Sequence, residues 1–442
     1  MNQSMPQNTV SGSSRRDFLK ASAAVGAGLA AGWSSVANVH AAGNDVIRVG
    51  LIGCGSQRGG RGRGAAEQCV SAGPNVKLVA MGDLFKDHLD YTRNYLQKLG
   101  PDKIDVPEDR CFVGFDAYKQ VLQAGVDLVI LASPPGFRPL HLKAAVEAGK
   151  HVFAEKPVAV DAPGVRSVME TVAEAKKKNL ALVSGLCWRY HPAMQETFKR
   201  IHDGMIGDIV TLQCTYNAGG LWHIPRKPEY SDMEWQCRNW LYFTWLSGDH
   251  IVEQHIHSLD KMGWAMKDAY PVRATGTGGR QVRIGPEFGH IFDHHSVVFE
   301  YPDGVKVFST CRQQNGTAQD VSDNIWGTKG VCHIDASKAK SYIKLGNEVV
   351  WHSPEDGNSG DMYQNEHNEL IASIRAGKPI NNGDYMTRST LMAIIGRMAT
   401  YTGQIITWEK AQHSIEDLSP SKYEFGALPM AAVARPGITK FI

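Results

Sequence analysis

The stretch at residues 46–64, VIRVGLIGCGSQRGGRGRG, decides the fold. An apolar run ends in Gly53-x-Gly55, and further glycines follow at 59, 60, 62 and 64. AAEQCVSAG continues as a helix, and VKLVAMGD reads as a second buried strand that closes on Asp83. Strand, glycine loop, helix, strand and terminal acid form the pattern of a dinucleotide-binding unit. Glycines let the turn tighten and let backbone N–H groups at a helix N-terminus approach a pyrophosphate. The acid binds both ribose hydroxyls, which favours NAD over NADP. The third glycine is displaced from the usual spacing, and Arg58, Arg61 and Arg63 could each meet a phosphate, which keeps NADP open. In isolation the loop would be a flexible surface turn; its flanks argue for a cofactor.

Outward from this stretch the same pattern repeats. VDLVILASPP is a buried strand, LHLKAAVEAG a helix with a terminal glycine, HVFAEKP a strand, APGVRSVMETVAEAKKKNL a helix and ALVSGL a return to the sheet. Continuous apolar strands alternating with helices predict a parallel sheet covered on both faces. After Tyr190 the pattern changes. IVTLQCTYNAG, HSVVFEYPDGVKVFSTCRQQ and GVCHIDASKAKSYIKLGNEVVW alternate in polarity and are joined by Pro-Asp-Gly and Gly-Asn turn signals, which predicts a largely antiparallel sheet. Helices are expected in GDHIVEQHIHSLDKMGWAMK, YQNEHNELIASIRAGKP and RSTLMAIIGRMATYTGQ. The division is an α/β dinucleotide unit at 46–158, an α+β unit at 159–412, and an irregular tail at 413–442 that packs across domains or subunits.

The N-terminus reads as a removable address. SRRDFLK is followed by a mildly apolar run and by Val39-x-Ala41, the order of a twin-arginine export signal at 1–41, with cleavage expected after Ala41. The whole chain carries a formal net charge of +2 over 442 residues. Arg15, Arg16 and Lys20 against Asp17 make the signal itself +2, so the remainder is near neutral. That balance does not favour nucleic acid or anionic membranes. No stretch beyond the signal is long and apolar enough to span a bilayer, so no stable membrane insertion is expected. The eight cysteines are scattered with no C-x-x-C pair, and mostly buried free thiols are expected.

HVFAEKP places Glu155, Lys156 and Pro157 at the carboxyl end of a strand, the edge at which ligands gather in such sheets. As an isolated dipeptide, Glu-Lys would be a surface ion pair. In this position Lys156 can reach a substrate alcohol and favour alkoxide character as hydride leaves. If GDHIVEQHIHSLDKMGW is helical, Glu253 and His257 lie one turn apart with Asp260 and Trp264 on the same stripe. His257 then suits proton transfer and Glu253 its orientation. Two other assignments compete: a satisfied core histidine, and a metal held by His250, Glu253 and His257, to which His294 or His295 could add a ligand. No second cluster shows zinc-ligand spacing, and no metal is expected.

Together the glycine loop, SPPGFRPLHLKAAVEAGKHVFAEKP, GLCWRYHP and the G-D-x-x-x-E-x-x-x-H-x-x-D-x-x-x-W segment resemble the Gfo/Idh/MocA superfamily of glucose–fructose oxidoreductase and inositol dehydrogenase. The resemblance covers most of the chain beyond the signal. It implies a Rossmann domain followed by an open-faced antiparallel sheet, often paired into dimers or tetramers. It implies Lys156 as the catalytic lysine and His257 as the proton-transfer residue, with Glu253 where the family usually has Asp. Gly248-Asp249 replaces the usual Gly-Gly, which would add a polar group near the pocket mouth. Gly53, Gly55, Ser56, Gln57, Arg58, Asp83, Ser133, Pro134, His141, Glu155, Lys156, Trp188 and Arg189 form the cofactor-side set. Trp222, Tyr190, Asp260, Trp240 and Asp249 form the substrate-side set. The aromatic-rich segment GGLWHIPRKPEYSDMEWQCRNWLYFTW suits stacking on sugar faces as well as core or subunit packing.

The signal and the cofactor constrain each other. A twin-arginine passenger crosses the membrane folded, to a compartment without a useful pool of free NAD(H), so a tightly bound cofactor recycled in place is expected. The first chemistry is oxidation of a sugar or glycoside hydroxyl, with C3 the candidate, and re-oxidation by a second sugar or ketone. The alternative is a redox-neutral NAD-dependent glycosidase that oxidises, eliminates, hydrates and reduces. A third, of another class, is a non-catalytic sugar-binding protein on the same frame. The expected location is periplasmic or otherwise exported.

Overall fold

The structure is a computed structural model that describes residues 45–57, 60–354 and 361–442. The signal segment, its cleavage point and Arg58 lie outside the described residues. The first sheet comprises β1 (Ile47–Ile52), β2 (Val76–Asp83), β3 (Cys111–Val113), β4 (Leu128–Leu131), β5 (His151–Ala154) and β6 (Leu182–Ser184). Its order is β3-β2-β1-β4-β5-β6 and every pair is parallel. The sixth strand carries the sheet past residue 158, where the sequence division ends the unit. β4 is buried at every position because helices cover both faces, which is why it reads as an unbroken apolar run. The strand order reverses between β1 and β4, and a crevice opens there at the carboxyl edge.

The helix Ala162–Lys177 starts as its sequence dictates. The Asp161 carboxylate accepts from Gly164 N at 2.8 Å, and Pro163 occupies the first turn, where its missing N–H costs nothing. It packs on the helix Gly383–Thr402, which is buried around nearly its whole circumference. That second helix also packs on the second sheet, so one apolar core runs from Val165 and Val168 through Met386 and Ile394 to Val297 and Phe299. Truncating a buried side chain such as Ile394 to alanine costs about 2–5 kcal/mol.

The second sheet comprises β7 (Ile209–Ala218), β8 (Arg273–Gly279), β9 (His294–Glu300), β10 (Lys306–Gln313), β11 (Ser322–Gly327), β12 (Gly330–Asp335), β13 (Lys340–Leu345), β14 (Glu348–His352) and β15 (Ile406–Thr407). Its order is β14-β13-β12-β11-β7-β10-β9-β8-β15, antiparallel except where β10 pairs with β7. β10 alternates, with Val307, Ser309 and Cys311 buried and Phe308 exposed, as one-sided packing requires. All eight cysteines are free, and all but Cys111 are buried. Among the described residues no helix is long and apolar enough to cross a membrane.

One element departs from expectation. The single helix expected across 248–267 is two, His250–Glu253 and Ile256–Ala265. The chain breaks at Gln254 and His255 because His255 is buried against β10, its Nε2 2.7 Å from Ser309 Oγ.

Candidate active site

The crevice at the carboxyl edge of the first sheet opens into a cleft of about 900 Å³, at the upper end of small-molecule sites. Gly53, Gly55, Ser56, Gln57, Asp83, Ser133, Pro134, His141, Glu155 and Lys156 all line it. Gly53 holds φ at +92°, and a Cβ there would fall 2.2 Å from Ser133 N. Helix and strand meet at Gly62, whose added Cβ would lie 1.9 Å from Gly53 O. Gly62 therefore does the close-packing work of the third motif glycine, at a shifted position. The Asp83 carboxylate is fixed at the cleft by Cys54 N at 2.7 Å and Phe85 N at 2.9 Å. This loop, its helix N-terminus and the placed acid fit a nicotinamide dinucleotide.

Two of the three loop arginines are engaged elsewhere. Arg61 donates to Glu155 Oε1 at 2.7 Å, and Arg63 donates to Tyr91 OH at 3.2 Å while lying over the Tyr95 ring. Arg61 also lies 3.6 Å from Glu366, whose carboxyl is pushed well above its ordinary range by burial first and then by the neighbouring Glu155. A 2′-phosphate would have to draw these side chains from their partners.

Lys156 stands two residues past the end of β5, and its peptide to Pro157 is cis. Its Nζ lies 2.9 Å from Glu253 Oε1 and also donates to the Glu253 carbonyl. The two side chains retain 12% and 17% of their exposure, enough for both to line the cleft. His257 is half-buried just beyond, and its Nδ1 has no hydrogen-bond partner. Burial first, then the Lys156 charge, push its imidazole well below the usual value, so it stands neutral. His257 is not itself among the residues that line the cleft.

The remaining expected residues separate. Trp222 and Trp240 line the cleft. Arg189 does not: it pairs with Asp260 at 2.9 Å and Asp268 at 2.6 Å, a charge cluster that occupies the Asp260 carboxylate. Trp188 stacks on His191, and Tyr190 donates to Asn382 at 2.8 Å. Asp249 is fully buried, not at the mouth, and Tyr401 OH donates to it at 2.6 Å. Arg189, Asp260, Tyr190 and Asp249 are drawn inward because buried charges and hydroxyls require partners.

Three contributors went unnoticed in the sequence. Arg138 is buried and donates to the carbonyls of Ser133 and Pro157, bracing both walls beside Lys156. Its signal was a lone cation at a helix start, where the dipole disfavours it unless carbonyls receive it. Arg238 spans the cleft: it lies 3.8 Å from the Phe85 ring centre and pairs with Asp87 at 3.2 Å. The third is the backing of a roof: Trp222 and Trp240, expected on the substrate side, line the cleft with Lys227 and Tyr230, and Leu418, Tyr423 and Leu428 of the C-terminal tail share one apolar cluster with Trp222, Tyr230 and Trp240. Tyr423 packs on Phe115 and Phe137, and Phe425 on Phe85 and Phe115. Gly426 O accepts from Met233 N, and Leu428 O from Gln236 Nε2. The tail is anchored by Glu416 on Arg397 at 2.7 Å and by Leu418 N on Asp161 at 2.9 Å.

Comparison with known proteins agrees with this geometry. Residues 47–185 match the family model "Oxidoreductase family, NAD-binding Rossmann fold", and 194–333 match the Gfo/Idh/MocA C-terminal domain. Residues 12–32 match the twin-arginine translocation pathway signal. The 2,7-anhydro-N-acetylneuraminate hydratase of Escherichia coli is 24% identical over 318 residues, spanning 70% of this chain and 78% of that protein. The inositol 2-dehydrogenase of Serratia proteamaculans is 24% identical over 341 residues, spanning 75% and 87%. The aldose–aldose oxidoreductase of Caulobacter crescentus, solved with glycerol, shares the fold at TM-score 0.63 and 19% identity, over 82% of this chain and 99% of that one.

Proposed function

The chain belongs to the Gfo/Idh/MocA oxidoreductase family, and from that premise we propose that it oxidises a secondary hydroxyl of a sugar or glycoside with a nicotinamide cofactor that stays bound between turnovers. The observation that carries this is the Lys156–Glu253 pair, 2.9 Å apart at the carboxyl edge of a sheet whose glycine loop fits a pyrophosphate. NAD, when bound, supplies the hydride acceptor. Gly53, Gly55, Ser56 and Gln57 would hold its pyrophosphate and Asp83 its ribose.

The other tasks fall to side chains of this chain. Lys156 donates to the substrate hydroxyl oxygen and stabilises the negative charge that develops there. Glu253 holds the ammonium in place. His257, kept neutral, accepts the hydroxyl proton. Trp222 and Trp240 offer ring faces to the sugar. Retention of the cofactor is supported by two independent features. The export signal sends a folded chain out of the cytoplasm, and the tail-backed roof lies across the cleft. A homodimer or homotetramer is part of the same proposal.

A second reading is favoured by the hydratase among the relatives. There the oxidised sugar loses its glycosidic substituent by elimination, takes up water and is reduced again, with no net redox change. Incubation with a panel of glycosides separates the two. Aglycone released without an added acceptor supports the redox-neutral cycle, whereas a keto sugar that accumulates only with an acceptor supports the oxidoreductase. No product under either condition overturns both.

A further inference from the structure

Glu366 places a carboxyl of the second unit behind the wall of the cofactor cleft. It stands on the helix Met362–Arg375, which packs on the helix Arg61–Ser71 that follows the glycine loop and on the turn Cys187–Tyr190. Its side chain is 0% exposed, and neither oxygen has a hydrogen-bond partner among the described residues. The cation that faces it is Arg61, whose Nη2 lies 3.6 Å from Glu366 Oε1, beyond hydrogen-bond reach.

Arg61 is already committed. Its Nε donates to Glu155 Oε1 at 2.7 Å, its Nη2 donates to Gln68 Oε1 at 3.2 Å, and its guanidinium lies 4.2 Å from the centre of the Tyr363 ring. Glu155 Oε2 accepts from Lys156 N at 3.3 Å. Arg61 and Glu155 both line the cleft. Two acids thus share one guanidinium, and only Glu155 has it at hydrogen-bond distance. Asp361, which caps the helix of Glu366, adds a third acid; Cys187 and Tyr190 face the site as neutral groups, and buried His367 beside it is neutral. An ionised Glu366 would be an unsolvated anion with no counter-charge of its own, whereas a protonated one forgoes only a hydrogen bond. Burial, then Glu155, push its carboxyl well above the ordinary range, in the same direction.

We propose that Glu366 holds a proton at neutral pH and that this proton sets how firmly the cleft keeps its dinucleotide. With Glu366 neutral, Arg61 and Glu155 balance one to one, and the head of the helix Arg61–Ser71 keeps its positive end for the pyrophosphate. When Glu366 ionises, an uncompensated negative charge stands behind that helix head, where it opposes the pyrophosphate and draws Arg61 away from Glu155. Retention is therefore greatest where Glu366 is protonated and falls as pH rises through its ionisation. Glu366 is a positioning residue: it acts through Arg61 and Glu155. The consequence for retention rests on the reading that the cleft keeps a nicotinamide dinucleotide; the proton itself does not.

The test compares the purified full chain with Glu366→Gln, which replaces a neutral carboxyl by a neutral amide of the same shape. Infrared difference spectra at neutral pH are expected to show the carbonyl band of a protonated, buried carboxyl in the native chain, shifted in heavy water and missing from the variant. Release of labelled NAD from the native chain is expected to quicken about tenfold between about pH 6 and 10, as a one-unit shift of a buried glutamate on cofactor binding requires. Release from Glu366→Gln is expected to stay slow across the same range. Should that variant fail to fold, the native band itself decides: it is expected to vanish as pH rises, and to vanish at lower pH in Glu155→Gln, where Arg61 is free to meet Glu366. Absence of a protonated-carboxyl band that depends on Glu366 overturns the proposal, as does NAD release with the same pH profile in both proteins. The infrared measurement needs no nicotinamide, so a chain that carries none overturns the functional proposal while the band still decides the state of Glu366.

Discussion

Replacing Tyr423 and Phe425 together by alanine should loosen the cofactor without removing any atom that lines the cleft. The two rings make four aromatic contacts with the first unit, at centroid separations of 6.1 and 5.5 Å for Tyr423 and 6.0 and 5.2 Å for Phe425. Phe425 is 49% exposed, so the low end of the range applies, about 0.5 kcal/mol per ring pair. The four contacts then contribute about 2 kcal/mol to the closed roof, or about 30-fold in cofactor residence if opening of the roof limits release. The backbone anchors at Gly426 and Leu428 survive the substitution, so the tail stays attached and the chain stays folded. Residence is measured by loading labelled NAD, adding an unlabelled excess and following label that remains with the protein on gel filtration. A rate within about threefold of the native value, at unchanged melting temperature, would refute the claim that the tail keeps the cofactor in.

Three further outcomes follow from the site. Lys156→Ala should lower kcat by about 10²–10⁴-fold and leave cofactor content unchanged; full activity would remove Lys156 from the mechanism. Because His257 is pushed well below its usual value, partly by Lys156, the acid limb of kcat should lie below the ordinary imidazole value of about 6.5, and Lys156→Met should move it upward; a pH–rate profile reads both, and a limb unmoved by the substitution contradicts the coupling. Buried His141 and His367 are each pushed down to about 3 by burial, so the unfolded chain binds their protons first. Their contribution is complete above about pH 6.5 and is lost as pH falls toward 3, at about 1.4 kcal/mol per pH unit for each group. Thermal unfolding between pH 7 and 5 should show the decline, and a flat melting temperature would argue against it.

Much of the first unit was visible in the chain because its information is local. A strand buried on both faces is an apolar run, so β2 appears at the bounds its residues suggest, and Asp83 falls at its end. Lys156 was visible for the same reason, as charge stranded where an apolar strand stops. Features that depend on distant partners were not. The helix break at His255 is caused by Ser309, on another strand. Arg189 and Asp260, which look like pocket residues in series, consume one another across 71 positions. Asp249 reads as a polar group beside a glycine, yet the fold buries it against Tyr401 and His295. The roof needs the last thirty residues to meet Phe85 and Phe115, and no local pattern announces that contact.

In the proposed mechanism this exported chain carries its nicotinamide with it and works through Lys156. The nicotinamide content of the mature protein, recovered from the exported fraction, desalted extensively and then denatured with acid or heat, tests both statements. Close to one NAD(H) is expected to be released per chain, with the same content in Lys156→Ala. Mature, folded protein that releases none, and that turns over glycosides only when free NAD is supplied, would contradict it.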